Sequence, residues 1–342
     1  MTGGVSSERE VSLSSGRSIL TALRDKGHFV KVIDPLYGGI DVNENLIFRE
    51  NIKKEYPTSE KLKRLTKDSQ RGLISCINSA LFDDIELVFL ALHGKFGEDG
   101  KIQTLLELRG IKYTGSGVIS SAVAMDKDVS KSLFRYSGIE TPDWITLEKK
   151  NYTDLEDTYD KIINLIGYPF VIKPNDEGST VGLTILKNKG NIRELNTALK
   201  SGFEYSDKLI IEKYIKGREL TVPIIGEEAF PLLEIIPKDG FYDYEHKYQN
   251  CMSDYECPAG VSKGIKMEAE RLALKAHNSL GCSVYSRVDF ILSEDEKLYC
   301  LEVNTLPGMT SLSLVPKSAK SRGIEFPELI ELIIDLSLKE RT

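Results

Sequence analysis

Near the end of the chain, Asp289, Glu302 and Asn304 have the types and spacing of a site for a hard cation. The stretch from Tyr285 to Pro316 reads as two strands, 286–292 and 298–304, around the acidic turn Ser293-Glu294-Asp295-Glu296-Lys297. Side chains alternate faces along a strand, so Arg287 and Asp289 point one way, and Glu302 and Asn304 share a face. The hairpin then sets Asp289 roughly across from Glu302, with Asn304 beside them. Such an all-oxygen cluster suits Mg²⁺ better than Zn²⁺, and lysines or arginines elsewhere would meet nucleotide phosphates bridged by that ion. An ordinary hairpin with a solvated polar face uses the same alternation. The sequence after the second strand shifts the balance. Asn304-Thr305-Leu306-Pro307-Gly308-Met309-Thr310 runs straight into a Pro-Gly turn, which lays backbone N–H groups beside the carboxylates, where they could hold a developing oxyanion.

The elements that must carry these groups belong to a globular protein of more than one core. At 342 residues the chain has room for two or three domains. Its hydrophobic content of 41% and charged content of 28% are ordinary for a soluble protein. A net charge of -7 argues against a nucleic-acid surface and leaves room for a local basic pocket. No apolar run approaches the ~20 residues of a membrane span, and no signal peptide opens the chain. Five scattered cysteines without CxxC spacing point to free thiols in a reducing cytoplasm.

The blocks RVDF, EVNTLPGMT and SLVP resemble the C-terminal active-site signature of the D-alanine–D-alanine ligases, members of the ATP-grasp superfamily. Further blocks keep that family's order and spacing along nearly the whole chain. The resemblance implies an α/β fold with mixed α+β parts. A Rossmann-like N-terminal domain (1–117) would precede two ATP-grasp subdomains, 118–211 and 212–342, that clamp ATP. It also implies Mg²⁺, as two ions on Asp289, Glu302 and Asn304 with Mn²⁺ as the alternative, and a homodimer in the cytoplasm.

The first block is GGVSSEREVS, a glycine turn and a helix start, with Ser7 and Glu10 at the spacing of a capping box. The helix continues through Leu23 and stops at Gly27. A carboxylate at Glu8 is favoured there by the helix dipole. By resemblance, it holds the ammonium of the first D-alanine. Family members carry a hydrophobic strand before this turn, whereas this sequence opens at Met1-Thr2-Gly3. Residues 29–34 read as a strand. The expectation is a start assigned too far downstream, with 30–34 and 87–92 left without their shared neighbour.

Residues 86–92 read as a buried strand delivering the loop HGKFGEDGKIQ at its carboxyl end, where α/β sheets bind ligands. A lone loop histidine is ordinarily bonded to backbone. By resemblance His93 lies beside the substrate site, without a proton-transfer role. Lys127 opens a helix through Phe134, and the resemblance puts it on the ATP phosphates. The loop from Lys173 to Gly182 joins two strands and can close over phosphates with its N–H groups, although a plain hairpin loop would look similar. It is neither a Walker loop nor a dinucleotide turn. The family pattern puts Lys173 on phosphate and Ser179 at the substrate end.

The resemblance further implies an adenine hinge from Glu212 through Lys213 to Ile215, and bonds from Glu219 to ribose hydroxyls. A long segment from Tyr242 to Gly260 reads as a lid. In it Lys247 would close on phosphate, and Tyr248 would pair with Ser179 and Glu8. Lys-Tyr followed later by Cys-Pro-Ala resembles the dipeptide-forming type more than the types that make D-alanyl-D-lactate or D-alanyl-D-serine. Arg287 and the Gly308 N–H would stabilise the oxyanion, and Ser313 with the Leu314 backbone would hold the second D-alanine carboxylate. ATP and D-alanine are thus the expected small-molecule partners, with no nucleic acid and no membrane. The rivals are an ATP-grasp ligase with another acceptor and a nucleotide-binding protein without turnover.

Overall fold

The structure is a computed structural model, and it describes residues 1–49, 57–152, 154–187, 192–238 and 253–341. Three sheets carry the site. The first is a parallel pair, β1 (Leu87–Val88) with β2 (Lys112–Tyr113). The second is antiparallel, with β3 (Trp144–Glu148), β6 (Lys208–Lys213), β4 (Phe170–Pro174) and β5 (Thr184–Leu186) in that order. The third, also antiparallel, runs β10 (Ser253–Glu256), β9 (Leu233–Pro237), β7 (Gly217–Ile225), β11 (Tyr285–Ser293) and β12 (Leu298–Asn304), with β8 (Glu228–Ala229) beside β7. Mixed helices and sheets of this kind make up the expected fold class, the ATP-grasp fold.

Helices α1 (Arg9–Asp25), α2 (Glu44–Ile47), α3 (Ser59–Ile77) and α4 (Lys101–Leu108) belong to the same part of the chain as the parallel pair, and α4 packs on β2 and α3. The amphipathic face of α1 sends Ile19, Ala22 and Leu23 into a core shared with Leu90, Tyr113 and Ile330. Ile330 belongs to α11 (Phe326–Glu340), so the last helix packs back on the first. Helices α5 (Val118–Met125), α6 (Lys127–Tyr136) and α9 (Lys263–Ser279) cover the third sheet through Phe134, Ala273 and Phe290. Helices α7 (Leu155–Leu165) and α8 (Ile192–Phe203) cover the second through Ile162 and Leu199. Short polar side chains set the helix starts: Asp126 accepts from Val129 N at 3.0 Å, and Asp154 accepts from Glu156 N at 2.8 Å. Helix α10 (Leu314–Ser321) starts at the edge of the site.

Three expectations change. Ser7 does not cap α1: its hydroxyl donates to Glu177 Oε2 at 2.8 Å, and Glu8 stands at the N-cap without a side-chain cap. The capping spacing is instead used to tie the first turn to a distant loop. Residues 29–34 are not hydrogen-bonded as a strand, and of 86–92 only Leu87–Val88 is. These two segments nevertheless share a neighbour. The Met1 amine donates to Phe89 O at 2.7 Å, Ala91 N donates to Met1 O at 2.9 Å, and Thr2 N donates to Ile33 O at 3.0 Å. Two residues therefore do part of the work of a central strand, beside a cavity of about 550 Å³ lined by Val30, Val32, Leu87 and Phe89. Burial lowers the Met1 amine to about 5.

Candidate active site

The hairpin of β11 and β12 has the register that its alternation suggests: Asp289 lies opposite Glu302, and Arg287 opposite Asn304. A bulge between Asp289 and Phe290 leaves an extra residue on β12, a device that re-aims side chains next to a site. Asn304 Nδ2 donates to Asp289 Oδ2 at 3.0 Å, and Thr221 Oγ1 donates to Asp289 Oδ1 at 2.6 Å. The Arg287 guanidinium meets both Asp289 oxygens, at 2.9 and 2.7 Å, and the Lys127 ammonium stands 3.3 Å from Glu302 Oε2. Two carboxylates and a carboxamide thus lie together on the hairpin, with the Asn304 NH₂ turned toward Asp289 and two cations beside them. Among the described residues no group of three or more His, Cys, Asp or Glu side chains gathers for a metal. The cluster becomes three oxygen donors only when Asn304 is counted, and it suits a hard ion that keeps other oxygens of its own.

A cavity of about 550 Å³ opens from this cluster and reaches both ends of the chain. Its lining includes Glu8, His93, Lys127, Ser179, Arg287, Glu302, Asn304, Gly308, Ser313 and Leu314, so ten of the sequence-derived site residues meet in one space. At one end Ser179 donates to Glu8 Oε1. The loop makes this approach with Ser179 and Thr180 in the left-handed region, at φ 48 and 60. Left-handed backbone costs about 1–3 kcal/mol per non-glycine residue and clusters at functional sites. Gly178 completes it, because a Cβ there would lie 2.6 Å from Glu8 Oε2.

At the other end, Leu306, Pro307 and Met309 are buried while Gly308 between them is not. Ser313 precedes helix α10 and accepts from Thr310 N at 3.0 Å, with Leu314 as the first helical residue. A helix start of this kind offers N–H groups to a carboxylate. His93 lines the cavity with both ring nitrogens already partnered, Nδ1 by Leu306 O at 2.8 Å and Nε2 by Ser15 Oγ at 2.9 Å. Burial lowers its pKa to about 4, with the Leu306 bond opposing and the Arg287 charge adding to the fall, so the ring is neutral at pH 7.

Of the remaining residues, Lys173, Glu212 and Lys213 lie on the second sheet. Lys173 on β4 pairs with Glu212 Oε1, and Lys131 Nζ lies 2.9 Å from Glu212 Oε2. Burial alone would push the Glu212 carboxyl up; the charges and hydrogen bonds of Lys131 and Lys173 outweigh it and hold it down to about 2. Lys213 ends β6, with its N–H given to Asp143 O at 2.8 Å, which removes that N–H from base recognition. Ile215 sits in the short link between β6 and β7, the connection from one sheet to the next, and Glu219 lies on β7 opposite Ile235 and Ile291. Lys247 and Tyr248 lie outside the described residues.

Sequence reasoning passed over several neighbours. Glu98 stands inside the quoted glycine loop; burial and then the Glu8 carboxylate raise it to about 8. Lys95 bridges Asp176 at 3.1 Å and Glu177 at 2.9 Å, tying that loop to the one bearing Ser179. Nothing in the pattern of Ser15 or Lys131, two polar residues on helices, marks them as buried.

The family described as D-ala D-ala ligase N-terminus matches residues 1–116, and that described as D-ala D-ala ligase C-terminus matches residues 133–335. The chain belongs to the D-alanine–D-alanine ligase family. A D-alanine–D-alanine ligase of Halalkalibacterium halodurans is 41% identical over 344 residues, which cover 99% of this chain and 98% of the relative. One from Clostridium botulinum is 40% identical over 338 residues, 98% and 97% of the two chains. The crystal structure of D-alanine–D-alanine ligase from Bacillus anthracis complexed with ATP superposes with a TM-score of 0.73 at 35% identity, covering 99% of this chain and 96% of that one. Membership in this ligase family makes the chain an enzyme. No helix of the described residues is long and apolar enough to cross a membrane.

Proposed function

We propose that the chain joins two D-alanines into D-alanyl-D-alanine, a peptidoglycan precursor, with conversion of ATP to ADP and phosphate. The observation that carries this reading is the single cavity lined both by Glu8, from the first turn of the chain, and by Glu302, Asn304 and Gly308, from its last hairpin. An ammonium anchor and a phosphoryl-transfer centre then face one substrate.

The carboxylate of the first D-alanine attacks the γ-phosphorus, the bond to ADP breaks, and an acyl phosphate forms. The amine of the second attacks that carbonyl carbon, phosphate departs, and the amine loses a proton. Phosphoryl transfer of this type depends on positioning and charge neutralisation rather than on a protein nucleophile. Glu8 and Ser179 orient the first ammonium, joined by Tyr248. Lys127, Lys173 and Lys247 meet phosphate oxygens, and Glu212, Lys213, Ile215 and Glu219 receive the nucleoside. Asp289, Glu302 and Asn304 have the oxygen chemistry to hold Mg²⁺, as two ions or with Mn²⁺ in its stead, and the metal would supply neutralisation of phosphate charge. Arg287 and the Gly308 N–H stabilise the tetrahedral oxyanion; such a donor contributes roughly 3–4 kcal/mol in well-studied enzymes. Ser313 and the Leu314 N–H receive the second carboxylate, and His93 stands beside them.

A cytoplasmic homodimer divided at 1–117, 118–211 and 212–342 goes with this reading. The test is phosphate release with ATP and D-alanine, D-lactate or D-serine in turn, with product masses. A D-alanine-dependent burst giving the dipeptide mass is expected; nucleotide binding without release would sink the proposal.

A further inference from the structure

The turn that carries Gly308 is gripped from outside its own domain. His93 Nδ1 faces Leu306 O, and a carbonyl oxygen can only accept, so Nδ1 carries the proton and donates it. In the neutral ring Nε2 is then an acceptor, and the Ser15 hydroxyl 2.9 Å away must donate to it. The Ser15 oxygen in turn accepts from Met309 N at 3.2 Å. Every proton in this chain is assigned by its neighbours. Glu98 completes the grip: one oxygen accepts from Leu306 N at 3.1 Å, the other from Gly94 N at 2.7 Å. Leu306 is thus held by both its N–H and its C=O, and Met309 by its N–H. Gly308 lies between the two fixed residues and is the one position of 305–309 that is not buried.

We propose that Ser15, His93 and Glu98 are positioning residues that fix both ends of the Leu306–Met309 turn, so that the Gly308 N–H keeps its direction into the cavity. The alternatives for these side chains are less consistent with the geometry. His93 has no ring nitrogen left for substrate, and Ser15 is fully buried on α1. The consequence is that the N-terminal glycine loop sets the geometry of a C-terminal oxyanion donor. This inference rests on the assignment of Gly308 under the proposed function, and its test has one arm that does not use turnover.

Ser15→Ala and Glu98→Gln are made in the full chain. Ser15→Ala removes the donor to Nε2 and the acceptor for Met309; Glu98→Gln replaces one accepting oxygen with an NH₂ that cannot accept. Amide hydrogen exchange over 305–310 is expected to quicken at least about tenfold in both, with α9 unchanged as the internal control. Exchange at the wild-type rate would overturn the positioning role, whatever the protein catalyses. In the kinetic arm, kcat is expected to fall about tenfold to a hundredfold, the scale of a roughly 1 Å misplacement, with KM for ATP within twofold. A kcat within twofold of wild type, or a fall matched by an equal rise in KM for ATP, would overturn it. Wild-type protein without D-alanine-dependent phosphate release would refute the proposed function alone, and the exchange arm would still decide the positioning.

Discussion

Ser179 donates a hydrogen bond to Glu8 Oε1 although the two residues are 171 positions apart in sequence. A carboxylate from the first helical turn and a hydroxyl from a glycine loop therefore form one end of the cavity. Glu8 is buried at the cavity wall, where a charge-assisted hydrogen bond from a substrate ammonium is stronger than one in water. Glu8→Gln keeps the shape and the bond from Ser179 while removing the charge. KM for D-alanine is expected to rise about tenfold to a hundredfold, matching the roughly 1.5–3 kcal/mol of a hydrogen bond to a charged group. KM for ATP should stay within twofold. Steady-state kinetics with each substrate varied in turn reads both; an unchanged D-alanine KM would remove Glu8 from ammonium recognition.

Glu302 faces Asp289 across the hairpin and has Lys127 3.3 Å away. On the proposed divalent-ion site, Glu302→Ala would leave Asp289 and Asn304 with one carboxylate fewer. Turnover is expected to fall by more than a hundredfold, and the Mg²⁺ concentration needed for half-maximal ATP turnover should rise. Residual activity with the wild-type Mg²⁺ dependence would dismiss the metal assignment.

The hairpin was legible because period-2 alternation fixes which side chains share a face, and one acidic turn fixes the register. The start of α6 at Lys127 and the stop of α1 just before Gly27 were legible as well. Ser7 illustrates the limit. Its spacing to Glu10 satisfies a local rule, yet the better partner is Glu177, brought close only by tertiary folding. The same holds for Ser15, Glu98 and Lys131, whose roles come from contacts 294, 208 and 81 positions away. Local periodicity carries no information on such pairings. The strand expected at 29–34 has its apolar pattern but, among the described residues, only the short Met1–Thr2 segment to pair with.

Acid should weaken the fold through its buried histidines. Burial lowers His277 to about 4 from 6.5, with the Cys282 backbone contact opposing. The unfolded chain therefore takes up a proton below pH 6.5 that the folded chain refuses until about 4, and stability falls across that window as pH drops. Glu98, raised to about 8, acts in the opposite direction above pH 4.5, so the difference between variants is the useful quantity. The wild type is expected to lose on the order of 2 kcal/mol more than His277→Asn between pH 7 and 4.5. Urea unfolding at the two pH values measures this, and parallel losses in both proteins would contradict it.

Lys131 is fully buried, bonded to Thr141 Oγ1 at 2.8 Å and Glu212 Oε2 at 2.9 Å, with its ammonium 5.1 Å from the Trp144 ring centre. Burial lowers its pKa to about 8, leaving it charged at pH 7 with Glu212 as the opposing influence. Truncating one member of a buried pair leaves the other charge uncompensated, which costs about 3–5 kcal/mol. Here Lys173 also faces Glu212, so Lys131→Met should fall at the lower end of that range. Glu212→Gln alone leaves two lysines facing a neutral amide, whereas in the Lys131→Met background it leaves only Lys173, so the double variant should lose less than the sum of the single variants. The sign with pH follows from the carboxylate. Glu212, held down to about 2, contributes stability above its unfolded value of 4.5 and loses it as pH falls through that interval. Lys131→Met should flatten the acid limb for that reason. Urea midpoints of the four proteins at pH 7 and 4 test the set; strict additivity at pH 7 would mean that Lys131 and Glu212 do not depend on each other.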